Sequence, residues 1–266
     1  IECNANLRIN LEIDLKIDLK NHKHIFIGFS GGLDSSVLVN LFLDNFPDFK
    51  NKIILLHVNH GLNKNSKSWQ EHCISQANLW GLPLYIKEIK SKPCKSESVE
   101  SWARKVRYDF FKEHLEADDI LLTAHHMNDQ AETFLMNCLR GSGVSGMRAM
   151  PVIKSFAKGK LVRPLLKYTR SDLEELAENK NIKYITDDSN LDLKFDRNFI
   201  RHEIMPLLKT RWPRVIEQFC KASDFAKDIY NIAENSLDID KYINKNNLDY
   251  AELSKLDYNK QVFVIR

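Results

Sequence analysis

The sequence predicts an α/β fold: a parallel, twisted sheet with helices on both faces, followed by a smaller all-α domain. Four short apolar segments, residues 25–29, 53–58, 84–89 and 120–124, have the length of strands and recur with helical segments between them. These segments lack a regular polar alternation, which is typical of strands that a parallel sheet buries on both faces.

The helices between the strands are predicted from apolar side chains that recur every three or four residues. Residues 69–80 and residues 99–110 each place such side chains on one helical face. Ser171, followed by Glu174 three residues later, matches the pattern of a capping box. We therefore expect a further helix to begin at Ser171.

Two prolines around a basic segment mark the expected domain boundary. Lys209, Arg211 and Trp212 lie between Pro206 and Pro213, and the periodicity beyond them is helical without another strand-like segment. We expect an α/β domain over residues 1–206, and a helical linker with a small helical domain over residues 207–266. The chain does not begin with methionine and ends within an apolar segment, so we expect it to be part of a longer protein that continues at the C-terminus.

Composition narrows the class of protein. The net charge is +3, so any nucleic-acid surface must come from local basic groups. The five cysteines are an odd number and never form a C-x-x-C pair, which argues against a disulfide framework and a clustered thiolate metal site. No apolar segment approaches the length of a membrane span, and no secretion signal is present at the start. A cytoplasmic protein without a membrane association is expected.

Residues 30–36, Ser-Gly-Gly-Leu-Asp-Ser-Ser, connect the first predicted strand to an apolar helix. The adjacent Gly31 and Gly32 allow backbone N–H groups to approach an anion, and the start of the helix adds further unpaired N–H groups. Three serines supply hydroxyl donors. Asp34 would repel a phosphate unless a divalent cation lay between them, so the segment predicts ATP bound with Mg²⁺ at Asp34.

The phosphate turn is not a Walker A loop, because G-x-x-x-x-G-K-[ST] is absent and no lysine follows the glycines. An ordinary strand-to-helix turn is the alternative interpretation. The segment resembles the S-G-G-x-D-S turn of the PP-loop ATP pyrophosphatases. This resemblance implies an adenine nucleotide α-hydrolase-like fold, binding of the β,γ-pyrophosphate, attack at the α-phosphate, transfer of AMP and release of pyrophosphate.

Further motifs follow in order across residues 25–212. They are residues 29–35 and 57–62; Glu100, Ala103, Arg104, Arg107 and Tyr108; residues 124–126 with Asp129, Glu132 and Thr133; residues 140–143, 163–165 and 187–190; and residues 196–198 with Arg201 and Pro206. Together they resemble one family of PP-loop enzymes, the tRNA(Ile)-lysidine synthases.

That resemblance implies a ligase that forms a carbon–nitrogen bond and takes part in tRNA modification. With ATP and Mg²⁺, the enzyme would adenylate C2 of wobble cytidine 34 in the CAU anticodon of tRNA(Ile), through the O2 oxygen. The ε-amine of L-lysine would then attack C2, giving lysidine, AMP and pyrophosphate. Since the ε-amine has a reference pKa near 10.4, a base must first remove its proton.

The resemblance also implies roles for individual residues. The expected ATP-binding residues are Phe29, Ser30, Gly31, Gly32, Leu33, Asp34, Ser35, Ser36, His57, Asn59 and His60. The expected catalytic residues are Asp34, Arg107, His125, Asp129 and Arg201. A zinc site at His57, His60, His72 and Cys73 is a weaker alternative, because that spacing fits no standard zinc motif.

Asp129 and Glu132 are three residues apart in the first turn of a predicted helix, so both carboxylates face the same side. We expect the pair to bind the ammonium group of the substrate lysine, with Asp129 as a candidate proton acceptor. The alternative is that the positive end of the helix dipole simply favours acidic residues.

The tRNA is expected to contact Arg140, Arg163, Arg197 and Arg211, with Trp212 as a stacking residue. Residues 141–146 match G-x-G-x-x-G but follow a helix instead of a strand, so they fail as a dinucleotide fingerprint. We interpret them as a flexible loop that admits a flipped cytidine, with plain termination of the helix as the alternative.

Two other functions remain open at this stage. A PP-loop tRNA cytidine 2-thiolase also adenylates cytidine at C2, but typically carries C-x-x-C cysteines, which this sequence lacks. A non-catalytic nucleotide-binding module would hold ATP without cleaving it, and the intact residues 30–35 argue against that function. The helical C-terminal segment could orient tRNA, form a homodimer interface or simply pack.

Overall fold

The computed structural model describes residues 18–93, 98–186, 192–237, 242–244 and 247–265. Its main feature is a six-stranded sheet in the order β3-β2-β1-β4-β6-β5. The strands are β1 (Ile25–Gly28), β2 (Ile53–Asn59), β3 (Leu84–Glu88), β4 (Ile120–Leu122), β5 (Ile153–Phe156) and β6 (Gly159–Val162). The four strands predicted from sequence are therefore confirmed.

The strand order reverses beside β1. From β1 the chain moves outward through β2 to β3, then crosses back to place β4 on the other side of β1. In an open α/β sheet, ligands bind outside the carboxyl ends of the strands at such a reversal. The carboxyl ends of β1 and β4 are therefore where a site is expected.

A hairpin at one edge was not predicted. β6 runs parallel to β4, but β5 runs antiparallel to β6, so the sheet is mixed and not wholly parallel. Both strands have four residues, and Lys154 and Lys160 are exposed on them. Edge strands of this kind need no apolar segment, because solvent covers part of their surface.

The core lies on both faces of the sheet because successive strand residues point to opposite sides. Ile25 and Ile27 of β1 pack in one apolar cluster, whereas Phe26 packs in the other beside Phe110 and Phe111. All three β1 side chains are buried. This two-sided burial explains why the central strands are apolar without alternation.

Helices surround the sheet and continue beyond it. They are α1 (Leu33–Asn45), α2 (Ser66–Trp80), α3 (Val99–His114), α4 (Met127–Leu139), α5 (Val144–Met147), α6 (Arg170–Asn179), α7 (Asp196–Phe199), α8 (Met205–Arg211), α9 (Val215–Ser236), α10 (Tyr250–Leu253) and α11 (Tyr258–Ile265). One π-helical turn, Ile200–Ile204, joins α7 to α8. Among the described helices, none is both long and apolar enough to cross a membrane.

The N-cap of helix α6 lies two residues earlier than the sequence pattern indicated. Thr169 is its N-cap, and the Thr169 hydroxyl accepts from the Asp172 N–H while the Asp172 carboxylate accepts from the Thr169 N–H. The capping box therefore uses Thr169 and Asp172, and the assignment to Ser171 and Glu174 was wrong. Here Asp172 accepts from the N-cap N–H, as glutamate or glutamine does in the usual capping box.

The chain forms two compact units, and their limits differ from the expected boundary after residue 206. The first unit comprises Ile1–Asp129 and Pro151–His202, and the second comprises Gln130–Met150 and Glu203–Arg266. Residues 130–150 thus join the C-terminal helices, which the sequence pattern did not indicate. The reason lies in packing within the second unit, where the Phe134 and Phe219 rings lie 5.6 Å apart.

Within the second unit, residues 141–143 end α4 and lead into α5. Gly141 has a φ of 67° and donates from its N–H to Cys138 O, while the Ser142 N–H donates to Asn137 O. This is the Schellman arrangement, in which a left-handed glycine pairs the last helical carbonyls. Gly141 therefore terminates α4, and the admission of a flipped cytidine by the residues that follow stays a prediction. The unit also contains a two-residue ladder between Ile243–Asn244 and Asn247–Leu248, although no further strand was expected.

Candidate functional site

The glycine turn follows β1 at the reversal of the strand order. Gly31 has a φ of 80°, a conformation that residues with a Cβ rarely adopt. A Cβ on Gly31 would also lie 2.8 Å from Cys73 Sγ and 3.2 Å from Ile185 Cδ1. Glycine is therefore required at this position both by the backbone conformation and by the lack of space.

Hydroxyl groups brace the same turn from within. Ser35 Oγ accepts from the Ser30 N–H (3.2 Å) and donates to Gly32 O (3.1 Å), and the Gly32 N–H donates to Ser30 Oγ (3.3 Å). Gly32 is the N-cap of α1, and no side chain caps the helix there. The N–H groups of the first turn of α1 have no partner within the helix, so an anion at this end would bind them.

Asp34 lies in that first turn, and its carboxylate faces two basic groups. Its Oδ1 is 3.5 Å from Arg170 Nη1, and its Oδ2 is 3.8 Å from His126 Nε2. Burial raises the pKa of Asp34, although His126 and Arg170 oppose that rise. The buried Oδ1 accepts no hydrogen bond from the described residues, which leaves it able to coordinate a cation.

These contacts fit a magnesium ion that is bound mainly by its nucleotide. No group of three or more His, Cys, Asp or Glu side chains within the described ranges could hold a metal. Mg²⁺ commonly uses one or two carboxylates together with phosphate oxygens and water. Asp34 can supply one such carboxylate. The zinc alternative at His57, His60, His72 and Cys73 gains no support from the described residues.

Asp129 connects several charged groups near the amino end of α4. Its Oδ1 accepts from Arg197 Nη2 (2.8 Å) and Arg201 Nη2 (3.0 Å), and its Oδ2 accepts from the His126 N–H (3.0 Å). Burial would raise the pKa of Asp129, but His126 and Arg197 outweigh burial and hold the pKa well below its usual range. Asp129 is thus a firmly ionised carboxylate that orients two arginines, and a weak proton acceptor.

His125 and Arg107 occupy neighbouring positions with different chemistry. His125 Nδ1 lies 3.0 Å from Thr123 Oγ1. Burial, assisted by Arg163 and Arg197, lowers the pKa of His125 to about 3, so its imidazole is neutral at neutral pH. Burial likewise lowers the pKa of Arg107, whose guanidinium lies 6.0 Å from the centre of the Tyr108 ring. The site therefore combines a neutral imidazole with cationic arginines.

The residues expected at the end of β2 make contacts within the protein. His57 Nδ1 lies 2.9 Å from Phe29 O, and burial lowers the pKa of His57. Burial also lowers the pKa of His60, to about 4. The amide of Asn59 donates to Gln70 Oε1 and borders an open cavity of about 470 Å³. None of these contacts involves a nucleotide, so ATP binding by His57, Asn59 and His60 stays a prediction.

The four arginines expected to contact tRNA have different surroundings. Arg163 is 2% exposed and donates from Nη1 to Pro151 O (2.7 Å), so it anchors the β5–β6 edge. Arg197 is held by Asp129. Arg140 and Arg211 are exposed near the ends of α4 and α8. The tRNA contacts of all four arginines stay predictions, and Arg140 and Arg211 are the two whose side chains are exposed.

Two residues of the site were not identified from the sequence. Arg170 and His126 both approach Asp34, although neither was among the expected site residues. His126 adjoins His125 within a motif that was recognised, so its position was a signal that could have been used. Arg170 offered no signal, because its approach to Asp34 depends on how α6 packs. Residues 187–190, which contributed to the resemblance, lie outside the described residues.

Glu132 was expected to act with Asp129 in binding lysine. It lies three residues further along α4, in the second compact unit, and its side chain is 2% exposed. Its role as a lysine ligand stays a prediction.

Curated proteins align with most of this sequence. It is 38% identical over 251 residues to a tRNA(Ile)-lysidine synthase of Coxiella burnetii, covering 92% of this chain and 55% of that protein. It is 42% identical over 204 residues to a tRNA(Ile)-lysidine synthase of Legionella pneumophila strain Paris, covering 77% of this chain and 47% of that protein. The chain thus spans about half the length of the curated relatives it matches.

A solved structure has a similar fold. The U34-tRNA thiolase NcsA from Methanococcus maripaludis aligns with a TM-score of 0.66 and 19% sequence identity, covering 81% of this chain and 76% of that one. The family model described as "PP-loop domain" matches residues 5–208, which include the glycine turn, Asp34, Asp129 and the two arginines that Asp129 holds. The chain belongs to the PP-loop family.

Proposed function

We propose that this chain forms the catalytic part of a tRNA(Ile)-lysidine synthase, a ligase that joins lysine to C2 of cytidine 34 in the CAU anticodon. The observation that carries the proposal is the glycine turn at the sheet reversal, with Asp34 beside Asp129 and its arginines. The names of the relatives at 38% and 42% identity support the choice of reaction.

ATP would bind through its β- and γ-phosphates at the turn after β1. The unpaired N–H groups of the first turn of α1 supply donors, and Ser30 is exposed beside them. Mg²⁺, when bound with ATP, would neutralise phosphate charge beside Asp34. The cytidine oxygen would then attack the α-phosphate, with pyrophosphate as the leaving group.

The arginines would stabilise charge during transfer of AMP to the cytidine oxygen. Arg201 and Arg197 are aimed by one oxygen of Asp129, and Arg107 lies on α3 of the same compact unit. Preorganised cations stabilise developing negative charge without reorganising as the reaction proceeds. His125, being neutral, can hydrogen-bond the base or the phosphate without adding charge.

Lysine would bind with its ammonium group near the acidic residues of α4, as the sequence suggested for Asp129 and Glu132. The low pKa of Asp129 argues against its use as the proton acceptor, so we assign it the orientation of Arg197 and Arg201. Arg140 and Arg211 remain the candidates for tRNA phosphate contacts. We expect the reaction to take place in the cytoplasm.

A homodimer is a separate prediction for the C-terminal helices. Phe225, Ile229 and Ile232 of α9 are exposed apolar side chains on which such an interface would rest. Analytical ultracentrifugation of the full-length protein tests this, and a single monomeric species at micromolar concentration would contradict it.

Incorporation of labelled lysine into tRNA(Ile) tests the proposed function. With ATP and Mg²⁺, the full-length protein should label tRNA that carries a CAU anticodon and release AMP and pyrophosphate, whereas Asp34→Ala should label none. A binding module would release no pyrophosphate. A thiolase would incorporate sulfur and not lysine, and the chain lacks the C-x-x-C cysteines typical of that enzyme.

A further inference from the structure

His126 lies between two carboxylates that belong to different elements. Its Nε2 is 3.8 Å from Asp34 Oδ2 and 3.5 Å from Asp129 Oδ2. The imidazole is 3% exposed, so solvent does not separate these groups. His126 follows β4, and Asp34 follows the neighbouring strand β1, which explains why the two side chains meet at the same edge of the sheet.

The other ring nitrogen determines which tautomer is favoured. Nδ1 of His126 is buried and has no hydrogen-bond partner among the described residues. A proton on Nδ1 would be buried without an acceptor, which is unfavourable. The arrangement therefore favours a proton on Nε2, the atom that faces both carboxylates. At 3.5 and 3.8 Å the two contacts are longer than ordinary hydrogen bonds. The partial positive charge of Nε2–H therefore attracts both carboxylates at once.

Without His126 the two carboxylates would face one another as like charges. Asp34 Oδ2 and Asp129 Oδ2 approach the same ring nitrogen, at 3.8 and 3.5 Å, so the imidazole lies between the two charges. The repulsion would be relieved most easily by movement of Asp34, because Arg170 lies 3.5 Å from Asp34, whereas Arg197, Arg201 and the His126 N–H hold Asp129 by hydrogen bonds of 2.8–3.0 Å.

We propose that His126 is a positioning residue whose Nε2–H keeps the Asp34 carboxylate aligned with Asp129 and its two arginines. This inference rests on the proposed function, because the alignment matters only if Asp34 and the arginines act on the same nucleotide. We assign His126 no contact with a reacting atom. The competing role is filling of space in the core, which would depend on the volume of the side chain and not on where its N–H lies.

Two amide substitutions separate these roles. In His126→Gln the amide nitrogen can take the place of Nε2, whereas in His126→Asn it can reach only the place of Nδ1. Both variants bury a similar polar group. We expect kcat for lysidine formation to fall about 10- to 100-fold in His126→Asn and to stay within about fivefold of wild type in His126→Gln, with KM for ATP changed less than about threefold in either. Equal rates in the two variants would overturn the proposal.

A double mutant tests whether His126 acts through Asp129. If it does, His126→Asn combined with Asp129→Asn should be no slower than Asp129→Asn alone, because the aligned partner is already lost. Losses that multiply would contradict the inference. Urea unfolding of every variant shows whether a variant with low kcat is still folded. The rates of the Gln and Asn variants are compared when their free energies of unfolding are equal.

His24→Ala is the matched control. His24 Nδ1 lies 3.0 Å from Asp119 Oδ1, a similar histidine–carboxylate pair at the opposite, amino-terminal ends of β1 and β4. The His24→Ala variant should keep the wild-type kcat. A wild-type protein that never incorporates lysine would contradict the proposed function. An active wild type with equal Gln and Asn variants would contradict only the role of His126.

Discussion

Replacing Asp129 with asparagine would remove one negative charge while keeping the shape of the side chain. In the folded protein this carboxylate accepts from Arg197, Arg201 and the His126 N–H. Without the charge, the side chains of Arg197 and Arg201, which are 19% and 30% exposed, would lose their ion pairs with residue 129. Asp129→Asn should therefore destabilise the fold as well as slow the reaction.

The size of the effect follows from these contacts. Removing one partner of a buried ion pair costs about 3–5 kcal/mol. Because both arginines are partly exposed, water recovers some of that loss, and we expect about 2–4 kcal/mol. For a chain of this size, such a change lowers Tm by roughly 4–16 °C. Asp109→Asn is the control, since its exposed pair with Lys112 should contribute less than about 1 kcal/mol.

The dependence on pH has a definite sign. Burial would raise the pKa of Asp129, but His126 and Arg197 hold it well below its usual range in the folded protein. A carboxylate with a lowered folded pKa stabilises the fold at pH values above its unfolded pKa of about 3.9, and the contribution is lost as pH falls through the folded pKa. The difference between wild type and Asp129→Asn should therefore be constant from about pH 5 to 8 and shrink only below about pH 4.

Urea unfolding of the wild type and both variants at pH 5 and pH 8 measures these differences. If Asp129→Asn unfolds at the same urea concentration as Asp109→Asn, the two arginines do not depend on Asp129 in the way the contacts indicate. If the difference instead grows between pH 5 and pH 8, the pKa of Asp129 is not lowered, and Asp129 becomes a candidate base for lysine again.

Three further predictions concern the turn, the sheet edge and the tRNA. Gly31→Ala should abolish ATP binding in calorimetry, whereas Gly141→Ala, with a similar positive φ but no atom within 4 Å of the added Cβ, should bind ATP normally and lose about 1 kcal/mol of stability; normal binding by both would refute the steric argument. Arg163→Ala should lower the free energy of unfolding by about 2–3 kcal/mol, measured in urea, and an unchanged value would show that its contact with Pro151 O is unimportant. Arg211→Ala should reduce by about one the slope of log tRNA affinity against log salt, and an unchanged slope would remove it from the tRNA surface.

The central strands were predictable because their signal is local. Residues 25–29 and 120–124 are apolar over the length of a strand, and the structure buries them on both faces of the sheet. The β5–β6 edge carries Lys154 and Lys160 in strands of four residues, so its pairing is not visible in an apolar pattern. Its strand character depends on hydrogen bonds to the rest of the sheet, which no local pattern contains.

The site was predictable only in part, for a similar reason. The turn at residues 30–36 is contiguous, so its chemistry can be inferred from the order of its residues. The partners of Asp129 cannot be inferred in this way, since Arg197 and Arg201 lie 68 and 72 residues further along the chain. The sequence indicated only that Asp129 is an acidic residue near the start of a helix. That position is consistent with a lysine ligand and with a base.

The contacts of Asp129 change what an acidic pair on α4 can be expected to do. A general base for a lysine ammonium works best when its own pKa lies near the working pH. The groups around Asp129 lower its pKa, away from the working pH, because two guanidinium groups and a backbone N–H all favour the ionised form. The same contacts make Asp129 well suited to aim cations at a transferring phosphate. An aspartate in the expected position can therefore be essential to the reaction without accepting a proton, and the alignment of Asp34, His126 and Asp129 is the feature through which it would act.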